Sequence, residues 1–247
     1  MRKKMNRTRV IILIVAALTV AVPLLIVYSY YDRARKSEQL LIEIGWGNTD
    51  EALSLLRSGA DPNYAGPLDG IRVVAIEVAC ENRNVEVVRY LLSHGVKPWE
   101  VGQDKASLIR RTLKYPDNGS PQNGNEIMQM LIEHGANVNA IDKSQTLPII
   151  EAAAMSMNDA LKFLIDHGAD VNLATGTNNS SLVVASAFGN KLGLKLLLNS
   201  GADPSKCGTT FEQLIEIARK YNHKEAVAIL KDAMAKRKAA GSGGLKK

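Results

Sequence analysis

Phe163-Leu-Ile-Asp-His-Gly-Ala-Asp-Val-Asn172 is the stretch whose reading decides the fold, because the chain keeps returning to it. The same shape stands at Leu55-Leu-Arg-Ser-Gly-Ala-Asp-Pro-Asn63 and at Leu91-Leu-Ser-His-Gly-Val-Lys-Pro-Trp99. It stands again at Leu131-Ile-Glu-His-Gly-Ala-Asn-Val-Asn139 and at Leu197-Leu-Asn-Ser-Gly-Ala-Asp-Pro-Ser205. Its glycines are Gly59, Gly95, Gly135, Gly168 and Gly201, with steps of 36, 40, 33 and 33 residues. A period of roughly 33 residues is the mark of a helical repeat array. The paired aliphatics close an amphipathic helix. The glycine follows, where a left-handed backbone costs least without a Cβ. His94, His134 and His167 sit just before it, beside the helix's last carbonyls and its negative end. Asp/Asn-x-Asn then favours a turn, because short polar side chains bond to nearby backbone.

A shorter helix is expected upstream of each glycine. Leu147-Pro-Ile-Ile-Glu-Ala-Ala153 places proline in a first turn, where its missing N–H is no loss. Ser181-Leu-Val-Val-Ala-Ser186 is followed by Phe188-Gly189-Asn190, which breaks the first helix and starts the turn to the second.

These residues resemble the ankyrin-repeat family, whose pattern runs Thr-Pro-Leu-His-x-Ala-Ala, Gly-His, Val-Val-x-x-Leu-Leu and Gly-Ala-Asp-x-Asn. The resemblance covers about residues 37–235. It departs from the pattern in repeat two, with Val74-Ala-Ile-Glu77, and in repeat five, with Ser180-Ser-Leu-Val183. It implies an all-α, helix–turn–helix solenoid of about six repeats that binds another protein, without catalysis or cofactor. In repeat three, Tyr115-Pro-Asp-Asn-Gly-Ser-Pro-Gln-Asn-Gly124 reads as an inserted loop.

The amino end differs. Residues 1–9 are a basic flank with five positive charges and no acid. Val10 to Val27 carries no charge, and Tyr28, Tyr30 and Tyr31 follow it. Eighteen residues rising 1.5 Å each span about 27 Å, close to the ~30 Å of a bilayer core. The run is long for a cleaved signal core and no small-x-small site follows it. Residues 10–31 therefore read as a transmembrane signal-anchor helix, with cleavage and secretion as the alternative. Five positives before the span against Arg33, Arg35 and Lys36 after it put the amino end in the cytoplasm and the repeats on the extracytoplasmic side. An exported array of this family would fit an immunity or escort protein for an exported effector or enzyme. The reverse topology would make it a tether holding a cytoplasmic protein at the membrane.

The chain carries a formal net charge of +6. Ten positives lie in residues 1–9 and 236–247, which hold no acid, so residues 10–235 are left at −4. Basicity belongs to the ends, and the repeats lack the basic stripe of a nucleic-acid binder. Residues 236–247, rich in Ala, Gly, Ser and Lys, read as a disordered basic tail.

No catalytic set, phosphate loop or zinc spacing is present, so no small-molecule substrate, metal or cofactor is expected. The three repeat histidines would lie about 10 Å apart, against metal–ligand distances of ~2 Å. Cys80 and Cys207 fall about four repeats apart and read as free thiols. Glu43, Glu77 and Glu151 read as surface charge on first helices. The candidate partner-binding residues share a register. Trp46, Asn82, Met155 and Phe188 occupy one variable site on successive first helices. Trp99 replaces the closing Asn of repeat two, and Tyr64 and Arg72 lie in the loop before it. Met155 and Phe188 are also candidates for packing between repeats.

Gly168→Val tests the helix-end assignment. A β-branched residue is disfavoured in a left-handed backbone. The loss should exceed the ~1 kcal/mol of an average point change, read as a lowered denaturant midpoint.

Overall fold

Residues 7–98, 108–113, 121–141, 145–176 and 179–243 are described by the computed structural model, in its first helix with side chains from Leu18 on. Trp99 and residues 115–120 of the repeat-three insertion lie outside the described residues. The elements are α1 (Arg7–Gly45), α2 (Thr49–Arg57), β1 (Ala65–Leu68), β2 (Ile71–Val74), α3 (Ala75–Glu81) and α4 (Val85–Ser93). Then come α5 (Leu108–Arg111), α6 (Pro121–Glu133), α7 (Pro148–Ala154) and α8 (Asn158–Asp166). The chain closes with α9 (Ser181–Ala187), α10 (Lys191–Asn199), a 3-10 turn (Pro204–Cys207), α11 (Phe211–Lys220) and α12 (Lys224–Gly243).

Two layers result. The end of α1 and helices α3, α5, α7, α9 and α11 stack on one another in that order. Helices α2, α4, α6, α8, α10 and α12 stack behind them. Ile44, Ile76, Ile109, Ile149, Leu182 and Leu214 fill the first layer; Ala52, Val88, Ile127, Leu161, Leu194 and Leu230 fill the second. Ala79, Ala152, Ala185 and Ala218 are fully buried and let the first helices approach closely. Cys80 occupies such a small buried place, and its thiol is pushed up in pKa by burial.

The array has two long edges. At the loop edge, Gly168 has φ +88°, and a Cβ added there would meet nothing within 4 Å, so the strain of Gly168→Val is conformational alone. The histidines cap the helix ends as the sequence implied. Nδ1 of His94, His134 and His167 lies 2.8, 2.7 and 2.8 Å from the carbonyl oxygen four residues earlier. A carbonyl only accepts, so Nδ1 carries the proton. Asp61, Asn137 and Asp170 each accept from the amide two residues on, at 3.0, 2.9 and 2.8 Å. The closing asparagines then reach the next repeat. Asn139 Nδ2 donates to Gly168 O (3.2 Å) while its Oδ1 accepts from Asp170 N (2.9 Å). Asn172 repeats this on Gly201 O (3.5 Å) and Asp203 N (2.7 Å).

At the turn edge, first helices pass into second helices. Gly47, Arg83, Ser156, Gly189 and Asn222 share a positive φ there. Gly189 is required twice, since a Cβ would lie 2.4 Å from His223 Nδ1.

Four expectations need correction. The fold is mostly helical, not all-α: β1 and β2 pair antiparallel from Ala65↔Val74 to Leu68↔Ile71. Asp69 and Gly70 both have positive φ, the requirement of a two-residue hairpin turn, and Asp-Gly is its sequence signal. The inserted loop is shorter than read, because α6 starts at Pro121 and takes in Gln122, Asn123 and Gly124. Proline at a first helical position is favourable. The tail is helical as far as Gly243. Ala, Lys and Arg are good helix formers, and Lys236–Asp232 (2.7 Å) and Arg237–Asp203 (2.5 Å) hold it. Glu43 and Glu77 are buried rather than surface charges. Glu77 accepts from Val74 N (3.1 Å) and pairs with Arg111 (3.1 Å); Glu43 accepts from Asn48 (2.6 Å). Glu151 lies 3.8 Å from Arg110 and is only partly screened from solvent.

Helix α1 runs unbroken through Pro23 into the array. Among the described residues no helix is long and apolar enough to cross a membrane. The side chains of Val10 to Ala17, the first half of the apolar run, are not among them.

The end of α12 should come loose in acid. The Ser205 hydroxyl and amide, then Arg237, hold the Asp203 carboxyl below the usual carboxylate range. A depressed folded pKa gives stability that is present above the unfolded value of ~3.9 and lost as pH falls through the folded one. Hydrogen exchange in residues 234–243 should be unchanged at neutral pH and rise only below about pH 4.

Candidate partner-binding surface

The turn edge presents a row of large exposed side chains. A first helix must end where its partner helix begins, and the residue at that cap points past both layers. Asn82, Met155, Phe188 and Tyr221 are the C-caps of α3, α7, α9 and α11. Trp46 follows the end of α1. Trp46 is 73% exposed, Phe188 63%, Tyr221 54% and Met155 44%, so no neighbouring repeat covers them. Met155 and Phe188 are therefore not buried between repeats. Leu192, four residues past Phe188, is exposed too and faces the preceding turn.

The polar residues behind this row are fully engaged. Asn82 Nδ2 donates to Ile44 O (2.8 Å) and Gly45 O (3.2 Å), which gives that side chain a task within the array. Asn190 Nδ2 donates to Ala153 O (3.0 Å) and its Oδ1 accepts from Gly193 N (2.8 Å). His223 Nε2 donates to Ala187 O (3.0 Å). Arg83 is buried, and its Nε donates to Thr112 O (3.2 Å). Two open grooves flank Arg83. One of about 440 Å³ is lined by Gly47, Asn82, Asn84, Glu86, Asn123 and Glu126. The other, about 360 Å³, is lined by Leu113, Met128, Ser156, Met157, Asn158 and Leu192 among others.

Tyr64 and Arg72 do not join this row. Arg72 is exposed on β2, paired with Pro67, at the loop edge. Tyr64 is half-buried, and its hydroxyl donates to Glu38 at 3.4 Å. Burial first and the Glu38 charge second push its phenol up in pKa. Glu38 lies eight residues before Trp46 in α1, about 12 Å along the axis. Six of the seven candidates thus divide between two edges, and Trp99 lies outside the described residues.

Tyr221 and Leu192 were missed by sequence reasoning. Tyr221 stands one 33-residue step past Phe188, so the period itself could have found it. Nothing in the sequence marks Leu192. Among the described residues no group of three His, Cys, Asp or Glu could hold a metal ion.

A stack of short helix pairs with one polar and one apolar edge defines a repeat solenoid, a class that binds through an extended surface. Residues 120–206 match the family of ankyrin repeats, over three copies. Over those residues the chain is similar to the ankyrin-repeat family. An ankyrin repeat domain from Acinetobacter baumannii superposes with a TM-score of 0.63 at 18% identity, covering 79% of this chain and 97% of that one. The human ASB11 ankyrin repeat domain superposes with a TM-score of 0.65 at 17% identity, covering 78% of this chain and 82% of that one. At such identities the likeness is one of fold. No curated protein matches the sequence. The family is typically a non-enzymatic interaction module.

Exposure and engagement predict opposite outcomes along one edge. Phe188→Ala and Tyr221→Ala should each stay within about 0.5 kcal/mol of wild type in a denaturant titration. Asn190→Ala removes an N-cap and a tie to the previous repeat and should cost about 2 kcal/mol.

Proposed function

We propose that this chain is a membrane-anchored ankyrin-repeat protein that binds another protein through its turn edge. The observation that carries the anchor is the state of α1. Leu18, Val20, Val22, Leu24, Leu25, Ile26 and Val27 are each between 46% and 66% exposed, and Tyr28, Tyr30 and Tyr31 are more so. Apolar surface on every side of a helix is stable in lipid and costly in water. Tyrosines at one end suit the headgroup boundary. The same helix then supplies the first helix of repeat one. With five positive charges ahead of the run, the repeats stand on the extracytoplasmic side.

The partner surface centres on Trp46, Met155, Phe188, Leu192 and Tyr221. Large apolar and aromatic side chains, exposed in a row and not needed for folding, are what interfaces are enriched in. Asn82 belongs to the same edge, whereas Tyr64 and Arg72 stand at the opposite, loop edge. An exported array with this surface fits an immunity or escort protein for an exported effector or enzyme.

Two measurements test the reading. A reporter active only after export, fused after Lys247, should be active; activity of a reporter that works only in the cytoplasm would establish the tether topology instead. Capture from detergent-solubilised membranes should recover a partner with the wild-type chain. Phe188→Ala and Tyr221→Ala should each weaken that binding by about 2 kcal/mol or more with melting unchanged. Full binding by both variants would move the site off the turn edge.

A further inference from the structure

Both ends of the array leave it past the same edge. First helices run from the loop edge to the turn edge, and second helices run back. α1 is a first helix extended at its start, and α12 is a second helix extended at its end. Each extension therefore projects beyond the loop edge. Two ion pairs fix this placement. Arg33 of α1 meets Asp61 (3.4 Å), and Arg237 of α12 meets Asp203 (2.5 Å). Asp61 and Asp203 are equivalent residues, the aspartates of two Gly-Ala-Asp loops. Lys36 adds a bond to Ser58 O at 3.0 Å in the first of these loops.

The heights match. From Arg33 back to Tyr28 is five residues, about 7.5 Å of helix. From Arg237 on to Gly243 is six residues, about 9 Å. The end of α12 thus reaches the level of the tyrosines, where the anchor would enter the headgroup layer. Lys236 and Lys238 are exposed on that end, and no acid follows Asp232 in the chain. Among the described residues, Ile71 at the hairpin tip and Ile141 in the loop after α6 are the other large apolar side chains exposed at this edge. Asp69 and Asp170 are exposed there too, beside the exposed cations Arg72, Lys97 and Lys206, whereas the end of α12 carries positive charge with no acid among it.

We infer that the loop edge lies against the bilayer and that the basic end of α12 is a second membrane contact, made with anionic lipid headgroups. The inference rests on the anchor reading above. Anchored at one end only, the array would swing about α1; held at both, it lies along the membrane with its turn edge outward. Attraction of a basic segment to an anionic surface needs no pocket, only charge held within a Debye length of it. The α1 anchor supplies that proximity.

The test uses the full chain, reconstituted from detergent into vesicles of phosphatidylcholine alone or of phosphatidylcholine mixed with phosphatidylglycerol. Ala240→Cys carries an environment-sensitive fluorophore; Cys80 and Cys207 are buried and do not compete for it. The chain should float with both kinds of vesicle. The label should be quenched by a lipid-borne quencher only in the anionic vesicles, and less so in high salt. Lys238→Gln should lower the docked-to-free ratio about fivefold, with flotation and repeat melting unchanged. Flotation in both lipids with identical label signals would overturn the second contact and leave the anchor standing. Failure to float with either lipid would overturn the anchor reading and this inference with it.

Discussion

No helix pair in this chain can bury its own apolar face. A seven-residue first helix and a nine-residue second helix, such as α9 and α10, present one stripe each, and the stripes face the next pair as much as each other. Burial is completed only by stacking, so every repeat must be held in register with its neighbour. The chain does this with side-chain amides. At the loop edge, Asn139 and Asn172 grip the backbone of the following repeat. At the turn edge, Asn82, Asn190 and His223 reach back to the carbonyls that end the preceding first helix. Each bond serves two needs at once. It satisfies helix-end groups that have no partner inside the helix, and it sets the distance at which the small alanine faces meet.

Ties at both edges explain what was legible in the sequence. The glycine series, the histidine caps and the Asp/Asn-x-Asn turns are local chemistry repeated at a fixed period, and they came out where the period placed them. Two further features were legible but not read. Asp69-Gly70 between β-forming residues signals a hairpin, and the period points to Tyr221. The rest depends on neighbours. Glu77 stands where the family pattern has histidine; only the position of Arg111, one repeat away in α5, makes it a buried pair. Removing one partner of such a pair strands a charge, which is why a site that reads as surface decoration is a structural one. Arg83 adopts a positive φ with its side chain buried, against local preference, because the backbone carbonyl of Thr112 accepts from it. The family match begins at residue 120, beyond these irregular features, where the period is plain.

Exposure is the other property the sequence could not give. Register assigns Met155 and Phe188 to one site but does not say whether the next repeat covers it. The C-cap position decides that. A residue there ends its helix and points past both layers, so the stacking that buries everything else leaves it out. Trp46, Met155, Phe188 and Tyr221 are thus exposed by the geometry of the repeat and not by an accident of packing. Their number is unusual only because the residue types are. Asparagine fills the same site at Asn82, where its amide turns back to Ile44 O and Gly45 O instead.

The two edges therefore carry different obligations. The large turn-edge caps Met155, Phe188 and Tyr221 are free of the core, so variation there leaves the stacked layers intact. Loop-edge residues are not free: Asp61 and Asp203 hold the neighbouring backbone and also the two terminal helices through Arg33 and Arg237. Along α1, the tie at Arg33 comes two residues after Tyr31, so apolar helix passes into packed helix with almost no exposed polar spacer. A flexible linker would let the repeats take any orientation to whatever holds the apolar segment. A continuous helix, tied at Asp61, transmits one orientation. On the anchor reading proposed above, it is this rigidity that separates the edges by task, since an edge fixed toward the anchor is a poor place to receive a partner and the opposite edge is open to one.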